Sequence, residues 1–251
     1  MVPNMNSMKV LFWRGCTLRN ILSETIAKIE YIFKKANIDV ITLDIEGCCG
    51  YPLILAGYEK QFETCALNLL EKIKELQPDV IVTHCPGCLR TFIELYPRNG
   101  FEPLYAVHTT QLLLKLINLR NIELKNSINL KVTYHDPCDL GRHLGIYNEP
   151  REIIKSIPGI TFIELPEISM GKYSRCCGGG GLIRLAIPPL ASQIAIDRII
   201  EDIVGLDVQA IITSCPTCVK TLFDASSIAE NIYGVSLKVL DIIDLVYEAM
   251  G

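Results

Sequence analysis

The chain has 251 residues, 49% of them hydrophobic, with eleven cysteines and a formal net charge of −4. A chain of this length buries roughly 70–75% of its unfolded surface, so it needs no metal or disulfide merely to hold a core. The acidic balance excludes an electrostatic footprint for nucleic acid, and no apolar run approaches the ~18 residues that span a bilayer.

Residues 9–13 read as a short apolar strand ending near Cys16, and Ile26, Ile29, Ile32 and Phe33 recur at helical spacing up to Ala36. Residues 39–43 form a second strand running into Cys48-Cys49-Gly50. Phe62, Cys65, Ala66, Leu69, Ile73 and Leu76 line one helical face, which makes Cys65 a small core residue. A third strand over 79–83 delivers Cys85 and Cys88. A polar stretch, 121–129, marks the boundary between two domains, 1–125 and 126–251.

The second half repeats the order. Strands at 131–135, 160–165 and 208–213 precede Cys138, Cys176-Cys177 and Cys215, and a helix over 190–204 follows Pro188-Pro189. Residues 239–250 are amphipathic with three acids and no Lys or Arg, as expected of a core-facing helix. Each half therefore reads as β-α-β-α-β followed by a helix. The expected fold is α/β: two pseudo-repeated, Rossmann-like halves with small parallel sheets and cysteines at the C-terminal strand ends, where such sheets place ligands.

Ten cysteines fall into one arrangement written twice: a lone Cys, an adjacent Cys-Cys-Gly, and a Cys-Pro-x-Cys. The gaps are 31 and 35 residues in the first copy (Cys16, Cys48, Cys49, Cys85, Cys88) and 37 and 37 in the second (Cys138, Cys176, Cys177, Cys215, Cys218). Four ligands close a zinc site and four thiolates an ordinary cubane cluster, so a fifth thiol is surplus to either. Side chains on neighbouring residues diverge unless the backbone turns, and Gly50 and Gly178 supply turns. The pattern points to a multi-iron cluster of unusual shape, bound twice. Residues 1–8 lack a charged region followed by an apolar stretch, so no leader peptide is expected and the thiols are expected in a reducing cytoplasm. A disulfide framework fits poorly with an odd cysteine count.

The two five-cysteine sets, with FWRGCTLR (12–19), CPGCLRT (85–91), YHDPCDLGRHLGIYNEPRE (134–152) and CCGGGG (176–181), resemble the cysteine-rich CCG-domain proteins, and most closely the B subunit of heterodisulfide reductase. The resemblance covers practically the whole chain. It implies a non-cubane [4Fe-4S] cluster on each set, the two together splitting a mixed disulfide into thiols. It also implies a small disulfide or thiol substrate, a ferredoxin-like iron–sulfur partner subunit, a flavoprotein subunit, and a cytoplasmic location or one peripheral to the membrane through partners. The chain has no ferredoxin-type cysteine run and no dinucleotide fingerprint, so a partner is expected to wire it.

Around the cysteines, Gly178 and Gly179 are read as a tight turn offering N–H groups to the cluster, with Gly50 matching in the first copy. Arg90 and Lys220 are matched cations, each two positions past a Cys-x-x-Cys, and Arg14, Arg19 and Arg175 lie within three residues of a cysteine. Arg142 and His143 are the candidates for binding an anionic substrate. His135 is either a proton source or a satisfied core histidine. His84 precedes Cys85 where the second copy has Ser214. Three functions remain: a disulfide reductase subunit, an electron-transfer or anchoring subunit of a dehydrogenase passing electrons to quinone, and a zinc scaffold.

Overall fold

The computed structural model describes residues 8–251. The stretch read above for a leader lies, except for Met8, outside the described residues. Contacts divide the chain between Ile122 and Glu123 into two compact units.

In the first unit the order is β1 (Val10–Trp13), α1 (Gly15–Ile21), α2 (Ser23–Lys35), β2 (Val40–Ile41), α3 (Tyr51–Leu55), α4 (Glu59–Leu76), β3 (Val80–Thr83), α5 (Pro86–Arg90), α6 (Tyr96–Arg98), β4 (Ala106–His108) and α7 (Thr109–Asn118). The second runs β5 (Leu130–Tyr134), α8 (Asn148–Ser156), β6 (Ile160–Phe162), α9 (Ile183–Ala186), α10 (Pro188–Asp202), β7 (Ala210–Thr213), α11 (Pro216–Tyr233), β8 (Lys238–Asp241) and α12 (Ile242–Met250). Each unit builds one four-stranded parallel sheet, ordered β2-β1-β3-β4 and β6-β5-β7-β8. The fold is thus the pseudo-repeated α/β architecture expected from the sequence.

The central strands β1, β3 and β7 are buried at every residue, as continuous apolar runs are when helices cover both sheet faces. Alternation sorts them: Leu11, Trp13 and Ile81 join Phe62, Phe92 and Tyr96 in one core, with Trp13 edge-on to Phe92 at 5.6 Å. Phe12 points to the other face and packs edge-on against Phe33 at 5.6 Å. Each fully buried Leu, Ile or Phe contributes roughly 1.5–3 kcal/mol.

The sequence reading missed a fourth strand in each unit. β4 is only Ala-Val-His, too short to show periodicity. β8 takes Val239 to Asp241 from the stretch read as helix, because Asp241 is an N-cap: its carboxylate accepts from the Ile243 N–H at 2.9 Å, and Asp244 accepts from the Asp241 N–H at 3.1 Å. His108 caps α7 from the equivalent register position, opposite Thr83 as Asp241 is opposite Thr213.

The turn after β5 is pinned by a buried ion pair. Arg151 on α8 grips both oxygens of Asp136 at 2.7 Å and both of Glu164 at 2.6 and 3.1 Å. The guanidinium lies 5.2 Å over the Tyr134 ring. Burial works against its charge, but the hydrogen bonds to the two acids raise its pKa. Replacing Arg151 by Leu leaves Asp136 buried and uncompensated, so unfolding of the second unit in denaturant should lose about 3–5 kcal/mol. A variant within about 0.5 kcal/mol of wild type would show that the pair is dispensable.

Candidate metal centre

Strand ends deliver the thiols. In the first unit Gly15, at φ +73°, turns the chain from β1 into α1 and places Cys16 in the first helical turn. Cys85 caps α5 with extended backbone, Pro86 opens the helix, and Cys88 lies one turn on. Cys48 and Cys49 arrive from β2 and are turned by Gly50 at φ +89°, where an added Cβ would stand 2.6 Å from the Phe62 ring. The five sulfurs make one continuous chain of thiol hydrogen bonds: Cys16 with Cys48, Cys48 with Cys49, Cys49 with Cys88, and Cys88 with Cys85.

The second unit repeats this. Cys176 meets Cys177, Cys177 meets Cys218, and Cys218 meets Cys215. Cys138 is near enough to Cys177 and Cys215 for their charge to raise it; with burial as the larger cause, its thiol is pushed up to about 12. In both units the second cysteine of the adjacent pair is the one whose pKa is lowered. Donation from Cys48 and Cys88 lowers Cys49 to about 5, and donation from Cys176 and Cys218 holds Cys177 well below the usual thiol range. Their donors are correspondingly raised: Cys88 by its hydrogen bonds to Cys49 and Cys85, Cys176 by its bond to Cys177.

Backbone N–H groups add to the anionic character. The Gly50 N–H points at Cys48 Sγ at 3.3 Å, the Gly178 N–H at Cys176 Sγ at 3.2 Å and the Gly179 N–H at Cys177 Sγ at 3.4 Å. Two ring nitrogens, Trp13 Nε1 and His135 Nδ1, are buried without a partner among the described residues. Both occupy the third position before the lone cysteine of their unit. Trp13 Nε1 and Cys88 Sγ stand 3.5 and 3.2 Å from the point where a Gly15 Cβ would lie. The ligand atoms of His135, Cys177 and Cys218 fall within 4.8 Å of one another. Soft thiolates with N–H donors directed at sulfur suit iron–sulfur chemistry, and a row of five neighbouring thiols in the first unit, or four with Cys138 close by in the second, exceeds what one tetrahedral zinc uses. The residues fit a multi-iron cluster in each unit.

The flanking cations are more engaged than the sequence suggested. Arg90 pairs with Glu94 at 3.1 Å and Lys220 with Asp224 at 2.6 Å, both one helical turn on, so the matched positions carry matched pairs. Arg14 gives Nε to Glu46 at 2.9 Å and Nη2 to the Leu43 carbonyl at 2.6 Å; Arg19 reaches the Glu46 carbonyl at 3.1 Å. Glu46, wholly buried, also accepts the N–H groups of Arg14 and Gly15 at 3.0 and 2.9 Å. Arg175 is half-exposed and pairs with Glu201. Arg142 and His143 sit in a single π turn, Asp139–His143, behind Cys138. There Arg142 donates to the Lys172 and Ser174 carbonyls at 3.2 and 2.6 Å.

Cys65 is a half-buried neighbour of the thiol set, donating to the Cys48 carbonyl at 2.9 Å. His84 stacks on His108 with ring centroids 5.3 Å apart and reaches Thr109 Oγ1 at 2.6 Å; burial and His84 keep His108 neutral. An apolar cavity of about 170 Å³, lined by Val10, Val80, Val82 and Val107, holds no thiol and lies away from the sulfurs. Sequence reasoning missed Glu46 and the pairing of Asp136 with Arg151, which also holds Glu164. One signal was present: an acid two residues ahead of a cysteine, with Gly or Pro between, at both Cys48 and Cys138.

The pattern for the cysteine-rich domain, CCG, matches residues 10–93 and 132–223, one match on each thiol set. The chain belongs to the cysteine-rich CCG family. Among curated CCG relatives, the D subunit of the dihydromethanophenazine:CoB–CoM heterodisulfide reductase of Methanosarcina mazei is 34% identical over 248 residues, covering 96% of this chain and 59% of that protein. The B subunit of the fumarate reductase (CoM/CoB) of Methanothermobacter marburgensis is 32% identical over 242 residues, 95% of this chain and 46% of that protein. The EtfAB:quinone oxidoreductase of Syntrophomonas wolfei is 31% identical over 215 residues, 82% of this chain and 29% of that protein. The chain thus spans less than two thirds of the length of these CCG relatives.

The glycine turn of the second CCG motif yields a paired test. At Gly178, φ +79°, an added Cβ would stand 2.2 Å from the Ala191 carbonyl oxygen; at Gly180 it would meet nothing nearer than Cys138 Sγ at 3.9 Å. Gly178→Ala should destabilise by more than about 1 kcal/mol in thermal unfolding, and Gly180→Ala by less than that. Equal effects at the two positions would contradict this account of the turn.

Proposed function

We propose that the chain is an iron–sulfur subunit of an oxidoreductase complex that reduces, or in reverse forms, the disulfide bond of a small organosulfur substrate, with a non-cubane [4Fe-4S] cluster on each thiol set. The single observation that carries the reading is the gathering of five sulfurs in each unit from the same three strand ends. Cys16, Cys48, Cys49, Cys85 and Cys88 would hold one cluster, and Cys138, Cys176, Cys177, Cys215 and Cys218 the other. When bound, each cluster supplies one electron at a time, so a pair supplies the two that a disulfide consumes, with two protons, in becoming two thiols.

The remaining residues stabilise and orient. Gly50, Gly178 and Gly179 direct N–H groups at the ligating sulfurs and offset their negative charge. Arg142 and His143, exposed on the π turn after Cys138, bind the carboxylate or phosphate of the substrate, and the two carbonyls that Arg142 grips fix the plane of its guanidinium. Arg90 and Lys220 add positive charge one turn from each Cys-x-x-Cys, tempered by Glu94 and Asp224. Electrons enter from a ferredoxin-like partner subunit fed by a flavoprotein, a reading supported by relatives that are themselves named as reductase subunits. No helix among the described residues is long and apolar enough to cross a membrane.

A second reading, an electron-transfer subunit that passes electrons toward quinone, is favoured by the relative named EtfAB:quinone oxidoreductase. Anaerobically reconstituted protein separates the two. With a strong artificial one-electron donor it should release thiol from the CoB–CoM heterodisulfide, the substrate named in the Methanosarcina relatives, and release none with a nicotinamide. Reduced protein that is reoxidised by a quinone analogue but by no disulfide would favour the second reading. Full activity of the lone chain with a nicotinamide would overturn the partner-fed account.

A further inference from the structure

The two thiol sets match in their cysteines and differ in the ring next to them. Position three before the lone cysteine is Trp13 in the first unit and His135 in the second. Both rings are buried at a strand end, and the His135 backbone N–H still belongs to the sheet, donating to the Ile212 carbonyl at 2.8 Å. Their use differs. His135 brings a ring nitrogen to within 4.8 Å of the Cys177 and Cys218 sulfurs, beside the sulfur that already receives the Gly179 N–H. Trp13 keeps its Nε1 without a partner among the described residues, although Cys49 stands where Cys177 does.

We propose that His135 is a positioning residue that donates a ring N–H to the Cys177 sulfur, so that the second cluster is held at a higher reduction potential than it would have without that bond. This rests on the proposed function above. A hydrogen bond to a ligating sulfur withdraws electron density from the metal and stabilises the more negative, reduced state. Charge-assisted bonds to a buried thiolate are the stronger kind. Neighbouring charge does not cancel the effect. Asp136 is already taken by Arg151 and the Gly171 N–H at 2.8 Å, and Ser214 by Tyr134 at 2.6 Å. Two clusters with the same five cysteines are thereby made electronically unequal.

The test is a redox titration followed by electron paramagnetic resonance on the anaerobically reconstituted full chain, with iron and sulfide counted on the same samples. Cys48→Ser, which removes a ligand from the first set, assigns the signals. His135→Phe should keep its iron and sulfide and lower the potential of the second cluster only; His135→Gln, which retains an N–H, should restore most of the shift. Should the phenylalanine variant fail to fold, His135→Leu carries the same test. An unchanged potential would overturn the inference, and so would loss of about half the iron in both the apolar and the Gln variants, since His135 would then be a ligand or a fold residue. Wild-type protein without iron and sulfide would instead remove the proposed function itself.

Discussion

Buried sulfur cannot tolerate buried charge unless something shares it, and that constraint organises both halves of the chain. Cys49 and Cys177 are nearly inaccessible, yet each has its pKa lowered because two neighbouring thiols and a backbone turn donate to it. Moving any donor leaves a charge in a low-dielectric core. The positive φ of Gly50 and Gly178, the proline-opened helices that carry Cys88 and Cys218, and the parallel sheets that end beside them all serve the same requirement. A soft, electron-rich metal cluster satisfies it more completely than shared protons do.

The second regularity is that the walls of the two sites diverge while the sulfurs do not. Arg14 in the first unit answers Asp136 in the second at the same offset from the lone cysteine, and each is closed by an opposite charge, Glu46 or Arg151. His108 and Asp241 cap the helices after the last strands from one register position, one neutral and one acidic by type. Such exchanges leave the cysteine pattern intact and change the electrostatic field around it, the means by which one scaffold would hold two similar groups at different potentials.

Much of this was legible in the sequence because it is written in short-range signals. Apolar runs of four or five residues, helical spacing of Phe62, Ala66, Leu69 and Ile73, and the prolines before α10 located three strands of each half and the helices α2, α4, α10 and α12, and the repeated cysteines located the site; α7, α8 and α11 went unread. β4 and β8 escaped because three or four residues show no period, and the capping by His108 and Asp241 that separates strand from helix depends on geometry. Glu46, Arg151 and Glu164 escaped for a different reason. Their partners lie 13 to 32 residues away, and nothing local distinguishes a charged residue that will be buried from one that will be solvated. Arg142 stands out in the sequence by its charge, but its bonds to the 172–174 carbonyls needed the fold.

The central claim, that each five-thiol set holds its own iron–sulfur cluster, is tested most directly by counting iron and acid-labile sulfide in anaerobically prepared protein. The account predicts about eight irons per chain with matching sulfide, as two four-iron clusters require, falling by half in Cys48→Ser and by half in Cys177→Ser. Stoichiometric zinc without sulfide, or about four irons in the wild-type chain that are all lost on substitution in either set, would contradict it.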